Sequence, residues 1–415
     1  TEAYGVDLGK LVNDKEVTVL ADLRAAMRDP VFAGDVPDLQ ELRAALDHAP
    51  RLVDKFLQLH QNHRTVLENL RSLSASGMMP DMVSTSPETA IHDFFRDHSN
   101  HFPALEAAAD AARAAVGGRQ DDIYSNLKRH LSNGFDISVQ VVGLTEMTDT
   151  LRYFDEKEGR VLLSEALDQI NRNFQLAHVL AMVSCGSLLD SLTSAAGALS
   201  EAGRARCHVE LANYFAGAFL MPYEEVLATA QRTKYDVDRI AAAFSVSFEQ
   251  VCHRLTTLQR KNATGVPFFF LRIDKAGNVT KRFNSTTFTL ADFGGACPVW
   301  NIHTSFRTPG VILPQFVELP EGERFFTISR TSDRPVYSRQ SQDRRLALAL
   351  GCEFRFVEEI GYAKSFNLDS ENLFSPIGIN CHLCPRQACS QRAHQPLFVD
   401  LPISPDRRGN TRYES

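Results

Sequence analysis

No apolar run in this chain approaches the roughly 20 residues needed to span a bilayer. The opening stretch, TEAYGVDLGK, has neither the basic segment nor the apolar core of a secretory signal. Positive charge is not in surplus: 44 Lys and Arg face 51 Asp and Glu, a net −7. That is the wrong sign for a body that grips a phosphate backbone by itself. Neither G-x-G-x-x-G nor a Walker loop occurs, so no ready-made backbone cradle for nucleotide phosphates is offered. Eight cysteines in 415 residues are too few for a secreted disulfide scaffold. We find no internal repeat and no low-complexity block. These absences predict a cytoplasmic protein, and Thr1 in place of a methionine predicts a fragment or a processed product.

What is present suffices for two or three domains, with 44% hydrophobic and 23% charged residues. Helical periodicity runs from Asp38 to about Leu73, with Leu52, Phe56, Leu59, His60, Leu67 and Leu70 on one stripe. Further helices are expected through Phe94–Phe95, Leu105–Val116 and Ile123–Leu131. The period then shortens to two. Ile137–Val142 reads as a strand, and Leu151–Phe154 with Arg160–Leu163 as a hairpin. Ser164 is the expected N-cap of a long helix to about Leu192, followed by a second helix from Glu201 to Met221. A helix–turn–helix-like pattern spans 236–258, with Ser247 and Gln250 spaced as a capping box. Beyond Gly265 strands are expected at Phe268–Ile273, Val279–Phe283, Thr286–Leu290, Val311–Gln315 and Phe325–Ser329, then a helix at Arg344–Gly351. The predicted class is α+β. Residues 1–73 form a helical linker and 74–262 a mainly helical effector domain with a small strand layer. Residues 263–400 form a mixed α/β domain of GAF-like type, and 401–415 a tail.

The strongest local pattern is Cys381-His-Leu-Cys384-Pro-Arg-Gln-Ala-Cys389. Three thiols at C-x2-C-x4-C spacing suit a loop wrapped around an iron–sulfur cubane, which needs a fourth thiolate. Cys352 is the expected fourth ligand. Zinc is the rival, with His382 and His394 as possible nitrogen donors, although zinc knuckles usually come as paired C-x2-C units. Arg386 and Arg392 would offset the charge of a thiolate cluster. The other four cysteines, Cys185, Cys207, Cys252 and Cys297, fall in helix- or strand-patterned segments and read as buried thiols.

A second pattern looks damaged. Phe174-Gln-Leu-Ala-His178-Val-Leu-Ala-Met182 has the layout of the zincin helix H-E-x-x-H, yet Val179 stands at the general-base position and Met182 at the second histidine. Downstream, Glu210-Leu-Ala-Asn213-Tyr-Phe215 resembles the partner helix of the ImmA/IrrE metallopeptidases. One His and one Glu do not make a catalytic zinc site. A zinc peptidase therefore remains only as the alternative function, and the chain is expected not to be an enzyme. An electron-transfer role is weaker still, with one cluster motif and no flavin motif.

Taken with Leu151-Arg-Tyr-Phe-Asp155, Ala212-Asn-Tyr-Phe-Ala216, Asp236-Val-Asp-Arg-Ile240, Arg254-Leu-Thr-Thr-Leu258 and Ile377-Gly-Ile-Asn-Cys381, these features resemble the short-chain fatty acyl transcriptional regulators of actinobacteria, especially those of propionate and methylcitrate-cycle genes. The resemblance covers about Asp38 to Leu397. It implies an acyl-CoA effector, a 4Fe–4S cluster on Cys352, Cys381, Cys384 and Cys389, and promoter DNA bound through a Cro-like domain outside this chain. It also implies a homodimer or homotetramer. An acyl-CoA would need cations at the mouth of an apolar pocket. Arg152, Tyr153, Lys157, Arg160 and Arg172 are the expected mouth, and Phe174, Ala177, Ala181, Tyr214, Phe215 and Phe219 line the expected apolar pocket, with His178 beside it and hydrogen-bonded by Glu210.

Overall fold

Caps and prolines set the helix boundaries. The computed structural model describes residues 19–27, 37–75, 87–197, 199–288, 295–333, 344–396, 400–403, 405–406 and 411, in two compact units, Thr1–Thr85 and Ser86–Ser415. The first unit has α1 (19–26), α2 (Leu39–His48) and α3 (Pro50–Ala75). A capping box between Asp38 and Glu41 starts α2. Pro50 divides what the periodicity suggested was one helix, because proline is tolerated in a first turn but not mid-helix. Leu23, Leu42 and Val53 form its small core. Leu52 and Leu59, expected inside, are 70% and 68% exposed; the buried stripe runs one residue over. The expected positions Leu67 and Leu70 have side chains outside the described set.

In the second unit α4 (Pro87–Asp97), α5 (Pro103–Val116) and α6 (Ile123–Phe135) lead into a three-stranded sheet. It contains β1 (Ser138–Val142), β2 (Arg152–Asp155) and β3 (Arg160–Ser164) in the order β1-β3-β2. The expected hairpin is present, with Arg152 opposite Leu163, and β1 lies parallel to β3. Ser164 ends β3 rather than capping a helix. Asp168 caps α7 (Gln169–Ser184), its carboxylate accepting from Asn171 N. The expected long helix breaks at Cys185–Gly186 and continues as α8 (Gly186–Ala195), bent by 85°. Among the described residues no single helix is long and apolar enough to cross a membrane.

Next come α9 (Glu201–Leu220), α10 (Tyr223–Thr233), α11 (Val237–Phe244) and α12 (Phe248–Thr256). The Ser247–Gln250 capping box holds. Val251, Cys252, Arg254 and Leu255 of α12 are buried, so the helix–turn–helix-like unit spends its faces on packing.

The remainder is a six-stranded sheet of β4 (Phe269–Ile273), β5 (Val279–Asn284), β6 (Leu313–Glu318), β7 (Arg324–Ser332), β8 (Leu346–Glu353) and β9 (Phe374–Pro376), ordered β5-β4-β8-β7-β6-β9. All neighbours are antiparallel except β6 and β9. The β4–β5 turn forms because Asp274 accepts from Ala276 N and Asn278 N while Gly277 takes φ +86°. The helix expected over Arg344–Gly351 is instead β8. A central strand buried on both faces has no alternation to distinguish it from a buried helix. Ser285–Thr287 form a bend rather than a strand, and residues 289–290 lie outside the described set.

The faces of this sheet serve different cores. Phe270, Phe326, Ile328, Leu348, Leu350 and Cys352 join the core of the helical part. Phe269, Leu271, Phe325, Ala347, Ala349, Cys297 and Ile377 form a second core. The sheet is thus packed onto the helices by one of its faces, and no core boundary falls at residue 262.

Candidate functional site

One stripe of α9 carries Glu210, Asn213, Tyr214 and Gly217, at the helical spacing of three and four. With Phe174 of α7 and Lys281 and Phe283 of β5, it walls a small cavity of about 40 Å3. Phe95 and Phe283 supply much of the apolar wall, and Gln250 and Thr256 of α12 add polar groups. The free space holds no more than a few waters, so a larger ligand needs the walls to move apart.

Beside the cavity stands the former peptidase pair. His178 does not meet Glu210. Its Nδ1 lies 2.6 Å from Arg152 Nη1; a guanidinium only donates, so Nδ1 accepts and the ring is neutral. Burial, with the Arg152 charge second, holds the His178 pKa down to about 3. Glu210 pairs with Lys281 Nζ at 3.0 Å and with Arg206 at 3.3 Å, and Asn213 donates to it. Burial, the largest single influence, raises the Glu210 carboxyl, but Lys281, Arg206 and Asn213 together outweigh it and the pKa ends below the ordinary value. Two cations from the strands, Arg152 and Lys281, thus engage the two side chains that a zinc ion would bind.

Behind Tyr214 lies a second charged group. Tyr214 Oη donates to Glu106 at 2.5 Å, and Arg254 holds both Glu106 oxygens at 2.6 and 2.9 Å. Arg254 Nε donates to Met221 O. Burial acts against the charge on both partners, and their pairing overrides it: the Glu106 pKa falls and the Arg254 pKa rises.

Of the pocket residues expected from sequence, Phe174 and Tyr214 line the cavity and His178 flanks it. Phe215, Ala177, Ala181 and Phe219 are fully buried core. The expected cationic mouth divides. Strand alternation turns Tyr153 outward, 51% exposed, opposite to Arg152. Lys157 is exposed in the turn, and Arg160 pairs with Asp155 at 3.4 Å. Arg172 donates to Glu165 O at 3.3 Å. Lys281, Asn213 and Phe283 were missed. Lys281 sits in an alternating strand, where a lysine normally reads as a solvated edge.

The cysteine loop is held to the sheet by arginines. Arg386 donates to Glu318 O and Ile377 O. Arg392, 5% exposed, donates to the carbonyls of Cys381, Cys384, Arg386 and His394. Both arginines therefore bind backbone oxygens rather than lying free on the surface. Cys384 is buried, Cys381 and Cys389 half-buried.

Cys352 does not join them. It lies fully buried on β8 facing the helical core. Burial first, then Glu359 and Glu353, raises its thiol pKa far above the ordinary value. Cys297 is the thiol on the loop's side of the sheet, in the core with Ile377. Its Sγ accepts from Gly378 N at 3.4 Å. A Cβ on Gly378 would come within 2.6 Å of Cys384 Sγ, so two thiols converge on this glycine. Burial raises the Cys297 pKa, opposed by the Gly378 and Val299 amides and supported by nearby Cys381 and Cys384. Three thiols thus lie near one another on this side of the sheet, Cys297, Cys381 and Cys384, and Cys389 follows five residues along the loop. As they stand, no three His, Cys, Asp or Glu side chains among the described residues are grouped to hold a metal ion. The rings of His382 and His394 stack on each other with centroids 4.6 Å apart.

Comparison with known proteins adds an independent finding. Residues 257–413 match the family described as short-chain fatty acyl coenzyme A regulator, C-terminal, and residues 133–256 match the IrrE N-terminal-like domain. The chain is 39% identical over 415 residues to a propionyl-CoA carboxylase regulator of Cereibacter sphaeroides, covering 100% of this chain and 87% of that protein. It is 32% identical over 419 residues to the HTH-type transcriptional regulator PrpR of Mycobacterium tuberculosis, covering 100% of this chain and 86% of that one. Similarity to RamB of the same organism is nearly equal, 31% over 418 residues, 98% of this chain and 86% of that protein. A solved Mycobacterium tuberculosis transcriptional regulator superposes with a TM-score of 0.75 at 33% identity, over 80% of this chain and all of that one. All are named as regulators, none as an enzyme.

Proposed function

The chain belongs to the short-chain fatty acyl coenzyme A transcription regulators, and on that premise we propose that it senses a short-chain acyl-CoA in the cavity beside Phe174 and carries a 4Fe–4S cluster on its cysteine loop. The observation that carries the sensing role is the pairing of a vacated peptidase site with a pocket. The general base and second histidine are Val179 and Met182, both remaining zinc-type ligands are engaged by cations, and the adjoining space is a cavity walled by aromatic rings.

The cluster would be held by Cys297, Cys381, Cys384 and Cys389, with Cys297 in place of the expected Cys352. It would supply a redox-sensitive staple; the chain's own residues position the loop through Arg386 and Arg392. Promoter DNA in the cytoplasm is the proposed partner, in keeping with the HTH-type relatives, and it is read by an element other than the packed α11–α12 pair. Ligand binding acts by favouring one arrangement of subunits, which requires tighter binding to that arrangement. The pairing surface we assign is α3, where Leu52, Leu59 and Val66 recur every seven residues with 70, 68 and 55% exposure, the spacing of a coiled-coil seam.

The test is anaerobic purification with iron, sulfide and zinc assays, followed by calorimetric titration with propionyl-CoA. About four irons and four sulfides per chain, together with saturable propionyl-CoA binding, support the reading. One zinc per chain removes the cluster, and absence of acyl-CoA binding removes the sensing role.

A further inference from the structure

Helix α3 carries two apolar faces with different fates. Val53, Phe56 and Leu57 turn toward the small core that α1 and α2 share with it. Leu52, Leu59 and Val66 meet water instead. Beside the start of this outer stripe runs an open groove of about 580 Å3, lined by Leu23, Leu42, Ala45, Leu52 and Phe56 among others. Exposed apolar surface of this extent marks a contact surface.

The order of residues shows what covers it. With Leu52, Leu59 and Val66 at heptad position d, Phe56 and His63 fall at a, and Leu70 and Leu73 continue the spacing. Charge keeps off this seam. Arg51, Asp54, Arg64, Glu68 and Arg71 occupy the outer positions b, c and f, and only Lys55 flanks the seam, at g. An uncharged apolar row offers nothing to a strongly charged partner and is complementary to a second copy of itself. The area is adequate as well. A helix of 26 residues is about 39 Å long, and half its girth presents roughly 650 Å2. Two copies would bury about 1,300 Å2, inside the span of about 1,200–2,000 Å2 typical of stable interfaces.

His63 distinguishes the two ways in which the helices could run. It is the single polar residue in the row and is exposed in the lone chain. In a parallel pair in register it faces the second copy's His63, and one neutral imidazole donates its N–H to the bare nitrogen of the other. In an antiparallel pair a positions meet d positions. Each His63 would then lie against the second copy's Leu59, a polar ring buried without a partner, which is costly. A lone polar residue at an a position fixes register and strand number in coiled coils at some cost in stability.

We propose that α3 pairs with α3 of a second copy of this chain as a parallel, in-register, two-stranded coiled coil, and that His63 is the specificity residue that sets this orientation. The proposal rests on the reading of α3 as the subunit contact and adds its direction and register. The groove at Leu52 and Phe56 then receives the second copy's Leu52. Both Pro50 ends lie at one end of the pair, about 10 Å apart, whereas antiparallel pairing would separate them by roughly 33 Å.

The experiment is photo-cross-linking of the full chain, with benzoylphenylalanine replacing Leu52 in one variant and Val66 in another. Isotope-labelled and unlabelled chains are mixed so that mass spectrometry recognises links between copies, and sedimentation velocity reports the dimer. The probe at 52 should link to residues 49–56 of the second copy, and the probe at 66 to residues 63–70. Links from 52 to 66–73 and from 66 to 52–59 overturn the parallel arrangement while leaving α3 as the contact. A wild-type chain that stays monomeric, or a dimer with no link on α3, overturns the proposal together with the reading beneath it. His63→Asn keeps a polar pair and should retain the parallel links alone. His63→Leu should dimerise on the order of 10-fold more tightly and show both sets of links. Parallel links alone in His63→Leu overturn the role given to His63.

Discussion

Replacing Gly217 by leucine tests the cavity without disturbing the charged groups around it. Gly217 lies within α9 with an ordinary helical backbone, and a Cβ built there meets no atom within 4 Å. It lines the cavity wall, so a larger side chain grows into empty space. Four added carbons occupy on the order of 100 Å3 at protein packing density, more than enough to fill a cavity of about 40 Å3. Glycine in a helix interior costs about 0.5–1 kcal/mol relative to alanine, so the variant should be at least as stable as wild type. Propionyl-CoA should lose the burial of its three-carbon acyl group. At about 0.8 kcal/mol per carbon this is near 2.4 kcal/mol, or on the order of 50-fold in affinity. Gly217→Ala is the control: it gains the helix term and adds one carbon, so affinity should fall only a few-fold. Calorimetry and thermal melting together read both effects. If Gly217→Leu melts at or above the wild-type temperature and binds propionyl-CoA within threefold of it, the ligand does not use this cavity.

Other expectations follow from individual contacts. Cys297→Ser should reduce iron from about four per chain to one or fewer, whereas Cys352→Ser should keep its iron; the reverse pattern would restore Cys352 as the ligand. His178, held near pKa 3 against an ordinary 6.5 and facing Arg152, His208 and Glu210, binds a proton more readily once unfolded. Stability should therefore decline as pH falls from 6.5 towards 3. His178→Gln should flatten that decline in melts taken between pH 7 and 4, and an unchanged slope would assign it to other groups. Arg254→Met strands the Glu106 carboxylate, whose side chain is only 4% exposed, and should cost about 3–5 kcal/mol; a denaturant midpoint equal to wild type contradicts this. Leu52→Asn combined with Leu59→Asn should shift the protein toward monomer in sedimentation velocity, and an unaltered distribution removes α3 from the subunit contact.

The local features were legible in the order of residues. The Ser247–Gln250 capping box, the β2–β3 and β4–β5 hairpins, the stop before Pro222 and the damaged H-E-x-x-H helix each depend on neighbours a few positions apart. The family resemblance was legible for the same reason, since it rests on short contiguous motifs. The failures were equally physical. Helix α7 ends at Ser184 because the chain bends at Gly186, and Asp168 outcompetes Ser164 as its cap. Strand β8 was mistaken for a helix because Leu346 to Cys352 is apolar throughout.

What only the tertiary structure decided is which side chains meet across long separations in the chain. A one-residue step along β8 sends a side chain to the other face of the sheet, and that parity turns Cys352 toward the helices and leaves Cys297 beside Gly378. Lys281 reaches Glu210 from a strand 71 positions away, and Arg254 reaches Glu106 across 148. Spacing along a chain sets helix and strand periods, caps and turns, because those are short-range backbone preferences. Partners for buried charges and thiols are chosen when the sheet packs its apolar face onto the helices, and that choice has no local trace in the residues that make it.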